Sequence, residues 1–239
     1  MTVYKGQAGA QATWTVDTDT GVLTISGTGS MYDKTAVSQW GWYEYASSIK
    51  QVVIESGITS VGAYAFGTIT YSSLASVTIA DTVTSINKNA FANCGTLTSI
   101  VIPDSVRTIA DWAFSGAGLT SVIIPAGVKT IGVSAFDCKS LTSVTFLGQP
   151  TSIDASAFSP GTYSDPCTIT IHSDGWASAD TLTPRDSSTT FIYKGLNPTV
   201  HVNVGGTWKE AVPYVNVGGT WKEVTEVHVN VNGTWKEVG

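Results

Sequence analysis

The side chains with types suited to nucleophilic or metal chemistry are three cysteines, three histidines and one short acidic run. Cys94 and Cys138 each stand three residues before a leucine that opens a repeated unit, Leu97 and Leu141, with one full unit between them. Strands of neighbouring units lie about 4.8 Å apart, which sets these cysteines about 10 Å apart, beyond the ~7 Å Cα limit of a disulfide. An odd number of cysteines also excludes a complete disulfide framework. The two are expected to be small buried side chains inside the coil, and Cys167 is read the same way. His201 and His228 occupy equivalent places in a repeated tail whose middle copy has Tyr214, and a metal ligand would not be exchanged for tyrosine. His172 stands alone. The run "DTDTG", Asp17 to Gly21, alternates carboxylates as a calcium loop does, but the glycine is fifth rather than sixth and the twelfth position holds Thr28 instead of glutamate. It lies between "ATWTV" and "VLTIS", so a hairpin turn is expected. No nucleophile elbow, phosphate loop or zinc signature surrounds any of these residues. The expectation is a non-catalytic chain with no cofactor and no metal.

The rest of the composition points the same way. Only 13% of the 239 residues are charged, while Gly, Ser, Thr and β-branched residues abound, favouring strands and turns. A net charge of -6 argues against nucleic acid as a partner, because phosphate affinity rests on clustered Lys and Arg. No run of about 18 apolar residues is present, so no membrane insertion is expected. The first residues, "MTVYKGQAGAQATW", lack the apolar stretch of a signal peptide.

The elements that position everything else repeat. Ala-Phe recurs at Ala65-Phe66, Ala90-Phe91, Ala113-Phe114, Ala135-Phe136 and Ala157-Phe158, with Phe spacings of 25, 23, 22 and 22. Aligned on these pairs, "LTSIVIPDSVRTIADWAFSGAG" is followed by "LTSVIIPAGVKTIGVSAFDCKS", with looser copies from Ile49, Leu74 and Leu141. Leu97, Ile100 and Ile102 alternate as a half-buried strand, Pro103 ends it, Val106 and Ile109 follow on a turn, and Phe114 points inward. One such layer cannot bury its own apolar face, but a stack can.

The unit resembles the BspA-like leucine-rich repeat family, "LTSVxIPxxVxxIGxxAFxxCxx", over about Thr13 to Phe158, and "ATWTVDTDTGVLTISGTGSM" resembles the cap that precedes those repeats. The resemblance implies an adhesive protein, surface-exposed or secreted, with no common catalytic site. The fold expected is mainly β: a capped leucine-rich-repeat solenoid of about five coils of 22–25 residues, plus a C-terminal β-hairpin array. Its expected divisions are an N-terminal β cap at 1–48, the solenoid at 49–159, a second cap and connector at 160–197, and three β-hairpin repeats at 198–239.

Two places could hold a partner. Outward-facing strand residues make ladders across the coils: Gln51, Ser76, Ser99, Ser121 and Ser143, and beside them Val53, Thr78, Val101, Ile123 and Thr145. Low charge there means little desolvation cost, so a continuous sheet face contacting a protein or glycan on a cell surface is the leading expectation. In "QWGWYEYASS", Trp40 and Trp42 could stack on sugar rings or cap the first coil; capping is preferred.

The tail repeats V-N-V-x-G-T-W-K-E three times. Gly-Gly or Asn-Gly between strands predicts tight hairpins, with Val204 opposite Thr207, Asn203 opposite Trp208 and Val202 opposite Lys209. Lone hairpins are marginal, so homo-oligomer contact through them is one expectation. Trp208, Trp221 and Trp235 are alternatively the stacking rings of a glycan-binding array. The Trp-Lys repeats look similar to those of phage tail and Gram-positive surface proteins, so a phage virion or tail structural component assembled through the hairpin tail is the alternative function, and an extracellular, cell-surface or virion location is expected.

Overall fold

A computed structural model describes residues 2–67 and 73–158 in full, and beyond them the backbone of eight strands between Cys167 and Val238. The chain opens as an antiparallel meander of β1 (Val3–Gln7), β2 (Gly9–Asp17) and β3 (Val22–Met31). The acidic run is the turn between β2 and β3. Asp17 Oδ1 accepts the Asp19 and Thr20 N–H groups at 3.0 and 3.4 Å, and Gly21, at φ 77°, brings the chain back. A carboxylate that bonds the backbone two residues on builds a turn of this kind without any ion.

At ten residues, β3 is long enough to start two parallel ladders. Val22–Ile25 pair with β4 (Gln51–Ile54), which pairs with β6 (Ser76–Ile79). Gly29 and Ser30 instead pair with β5 (Ile58–Val61), which leads to β7 (Ser85–Ile86) and β8 (Thr108–Ile109). The first ladder resumes with β9 (Ser121–Ile124); the second continues to β10 (Thr130–Ile131). They end with β11 (Ser143–Phe146), beside β9, and β12 (Ser152–Ile153), beside β10. Beyond the last Ala-Phe, β13 (Cys167–Ser173) and β14 (Thr189–Lys194) add two more parallel rungs to the first ladder.

Each coil sends one layer inward. Val52 and Ile54, Val122 and Ile124, and Val144 and Phe146 come from the first ladder, while Val61, Ile86, Ile109 and Ile131 come from the second, and all are buried. The Ala-Phe pairs fill the remaining side. Phe66, Phe91, Phe114, Phe136 and Phe158 stack ring over ring with centroids 5.2, 5.3, 5.1 and 5.2 Å apart. Small Ala at each preceding position lets the backbones approach closely enough for this. Stacked aromatics contribute beyond the area they bury, so the column is a spine as well as a filling.

Two features differ from the sequence reading. Val106 and Ile109 were expected on a turn; Val106 is outside any strand, but Thr108–Ile109 and its two-residue counterparts continue the second ladder beyond β5. Two-residue strands carry no alternation for a pattern to detect. The first ladder was expected to be continuous, yet no strand forms over the described residues 97–102. Leu97 and Ile102 are still buried and Val101 still points out, so the alternation survives without the ladder. The gap follows a link of six residues from Phe91 to Leu97, against five in the next two coils, although the eight-residue link from Phe66 to Leu74 leads into a coil whose strand does pair.

The tail forms three separate antiparallel pairs: β15 (Val200–Val204) with β16 (Thr207–Ala211), β17 (Tyr214–Val217) with β18 (Thr220–Glu223), and β19 (Val227–Val231) with β20 (Thr234–Val238). The register is that expected from a two-residue turn: Asn203, Asn216 and Asn230 lie opposite Trp208, Trp221 and Trp235. The connector around Pro198 and the surroundings of Cys167, His172, His201, His228 and the three tail tryptophans lie outside the described residues.

Candidate binding face of the solenoid

The outward side of the first ladder carries the residues singled out for binding. Gln51 lies beside Ser76 and Val53 beside Thr78; Ser121 lies beside Ser143 and Ile123 beside Thr145. The third coil joins this face by a different route: the Thr120 N–H donates to the Thr98 carbonyl at 3.3 Å, setting Ser99 and Val101 alongside Ser121 and Ile123. Gln51, Val53 and Thr145 are half-buried, while Thr78, Ser99 and Ser121 are exposed. Val101 is 80% exposed and Ile123 56%. Leu147, 54% exposed, belongs with them although the sequence reading passed over it. Its signal was available: aligning Phe146 with Ile124 puts Leu147 where the preceding coil has Pro125.

Val101 and Ile123 stand side by side on adjacent coils about 4.8 Å apart, and Leu147 lies diagonally from Ile123, two residues beyond the Thr145 directly beside it. Around them stand Ser99, Ser121, Ser143 and Thr145, none of them charged. Such a patch, rimmed by small hydroxyl residues, loses little hydration energy when covered.

Trp40 and Trp42 are not available to a sugar. They are 3% and 2% exposed and stack on each other at 4.4 Å, and Trp42 stacks on Phe66 at 5.7 Å, extending the Phe column by two rings. Their indole N–H groups donate to the Ala63 and Ala65 carbonyls at 3.2 and 2.9 Å. An apolar layer at the end of a solenoid must be covered, and these rings cover it. Gly62 belongs to the same fit, since the Tyr32 carbonyl and the Trp40 ring fill the space a Cβ would need.

Cys94 and Cys138 are fully buried, as expected of interior positions. Each thiol donates to the carbonyl of a Phe on the preceding coil, Cys94 to Phe66 at 3.3 Å and Cys138 to Phe114 at 3.1 Å. Burial pushes the Cys138 thiol up, and the neighbouring Asp137 carboxylate pushes it further, the opposite of what a nucleophile needs. Desolvation also raises Asp17, but hydrogen bonds from Asp19 and Thr20 outweigh it and hold the carboxyl below its ordinary value. Among the described residues no group of three His, Cys, Asp or Glu is gathered as metal ligands. No described helix is long and apolar enough to cross a membrane.

Two parallel ladders, one inward aromatic column and coils of 22–25 residues define a leucine-rich-repeat solenoid. The family model for the BspA type leucine rich repeat region matches residues 39–163 in six copies, just over half of the chain, and the chain belongs to that family. No curated protein matches it. Among solved structures it is similar to a leucine-rich repeat protein from Eubacterium ventriosum, with 26% identity over 88% of this chain and 49% of that one and a TM-score of 0.61. It is also similar to the pneumococcal vaccine antigen PcpA, with 15% identity over 73% of this chain and 41% of that one and a TM-score of 0.51, a likeness of fold alone. The chain thus spans about half the length of these proteins or less. The family and fold are those of repeat proteins that are generally non-catalytic.

Proposed function

We propose that this chain is a non-catalytic recognition module that adheres to a protein or glycan on a host or cell surface through the outward face of its first ladder. The observation that carries this reading is the exposure of Val101 and Ile123 at equivalent places on adjacent coils, with Leu147 exposed diagonally on the next, within an uncharged Ser/Thr surround. The core does not use these places, since the equivalent outward positions in other coils hold the half-buried Val53 and the polar Thr78 and Thr145. Membership of a repeat family whose proteins commonly bind other proteins supports the same role. A location outside the cell follows as part of the proposal, as does the division of the chain at 48, 159 and 197.

The test is the double substitution Val101→Glu and Ile123→Glu. Both sites are exposed, so each change should alter stability by no more than about 0.5 kcal/mol. Adhesion to whole cells and to an array of immobilised surface proteins and glycans should be lost while the unfolding midpoint stays. Unchanged adhesion would remove this face from the reading.

A further inference from the structure

The antiparallel cap ends in a strand with a neighbour on one side only. β1 pairs with β2, and among the described strands none lies on the other side of β1. Hydrogen bonds at both ends of the pair fix which backbone groups face that edge. The Thr18 N–H donates to the Thr2 carbonyl at 3.2 Å, and the Ala8 N–H donates to the Ala12 carbonyl at 2.9 Å. Bonded and non-bonded pairs alternate along an antiparallel ladder, so Tyr4 and Gly6, opposite Val16 and Trp14, give their backbone groups to β2. Val3, Lys5 and Gln7 therefore turn their N–H and C=O groups outward. A row of such groups is a template for a further strand.

The edge is held firmly from the cap side. The Tyr4 ring stacks on Tyr45 at 4.1 Å, Tyr45 lies 6.3 Å from Trp14, and Gly6 sits so close to the Trp14 ring that a Cβ would come within 2.7 Å of its Nε1. A strand already fixed in this way loses little freedom when a partner adds to it. Its side chains still meet solvent: Val3, Lys5 and Gln7 are exposed, and Tyr4 keeps 38% of its surface. Lys5, at the centre, is the one charged residue of the strand, and Thr15 opposite it is neutral. The acid nearest in register is Asp17, opposite Val3, and its Oδ1 accepts the Asp19 and Thr20 N–H groups of the turn.

We infer that β1 is a docking edge, separate from the first-ladder face, for an extended segment of another protein that carries a carboxylate opposite Lys5 and apolar residues on either side of it. Main-chain bonds to Val3, Lys5 and Gln7 supply the affinity, and alternate side chains supply the selection. The carboxylate pairs with Lys5 across the two strands, and the residues flanking it fall on the Tyr4 face, beside the exposed part of that ring. A second copy of this chain does not fit. Antiparallel pairing of β1 with itself over its whole length sets Lys5 against Lys5, and like charges directly opposite destabilise a strand pair.

Amide NMR and hydrogen exchange on the full chain test this. In the chain alone the Tyr4 and Gly6 amides should exchange slowly and those of Val3, Lys5 and Gln7 quickly. An excess of the heptapeptide Ser-Thr-Val-Glu-Val-Thr-Ser should shift and slow these three, and it should bind about fivefold more tightly than the same peptide with lysine at its centre. Lys5→Glu should reverse that preference. Lys5→Pro removes an N–H that β2 does not use, so it should abolish peptide binding; the charge reversal keeps the test valid even where proline disturbs the strand. Val101→Glu with Ile123→Glu should leave peptide binding unchanged, so this edge and the proposed adhesion face stand or fall separately. The inference is overturned if neither peptide perturbs the Val3, Lys5 and Gln7 amides, or if the two peptides bind alike. It is overturned too if those amides slow as the concentration of the chain alone rises, which would make a second copy the occupant.

Discussion

Replacing Phe114 by alanine tests whether the aromatic column is the spine of this fold. The ring is fully buried between Phe91, at 5.3 Å and 7°, and Phe136, at 5.1 Å and 10°. Truncating a buried Phe costs about 3–5 kcal/mol, and an aromatic pair contributes about 0.5–1.5 kcal/mol beyond its area. With a stacked neighbour on each side, Phe114 should lie at the upper end, about 5 kcal/mol. Coils touch only their neighbours, so a defect in the third of five also uncouples the two halves. Urea unfolding followed by circular dichroism should show a lower midpoint and a reduced slope as cooperativity is lost. Phe114→Leu, which keeps most of the volume, should recover most of the loss and the original slope. A cost for Phe114→Ala below about 1 kcal/mol with an unchanged slope would refute the argument.

Two further outcomes follow from the titrating groups. With its thiol pushed up by burial and by Asp137, Cys138 should resist N-ethylmaleimide in the folded chain; peptide mapping that finds it labelled as fast as in urea would contradict the buried position. The folded Asp17 pKa lies below its unfolded value, so its contribution is complete above the ordinary carboxylate range and is lost as pH falls through the depressed value. The difference in urea midpoint between wild type and Asp17→Asn should therefore shrink on acidification, and a difference that grows would reverse the sign.

The repeat and its inward layer were legible because Ala-Phe and the Leu-x-x-Ile alternation depend only on spacing. Hairpin register was legible too, since a two-residue turn fixes which residues oppose each other: Asn203 and Trp208 were paired from sequence and are paired in the structure. The second ladder was not, because Thr108–Ile109 is too short to show a period. Nor was the gap at 97–102, because the alternation of buried Leu97 and Ile102 survives without the ladder. Trp40 and Trp42 have the composition of a sugar platform and of a cap alike, and only their burial separates the two. Leu147 was legible as well, since the aligned units set it where the preceding coil has Pro125, but it lies past the alternating positions that were read as the strand.

The interruption of the first ladder also has a mechanical meaning. At the third coil no strand forms on one side over residues 97–102 and the Thr120 N–H bond to the Thr98 carbonyl is the backbone link there, while the Phe column and the second ladder pass through unbroken. A rod tied on one side and loosened on the other yields by flexing about the tied side. Flexing beside Val101 is the expected consequence, and it would tilt the two halves of the proposed binding face relative to each other.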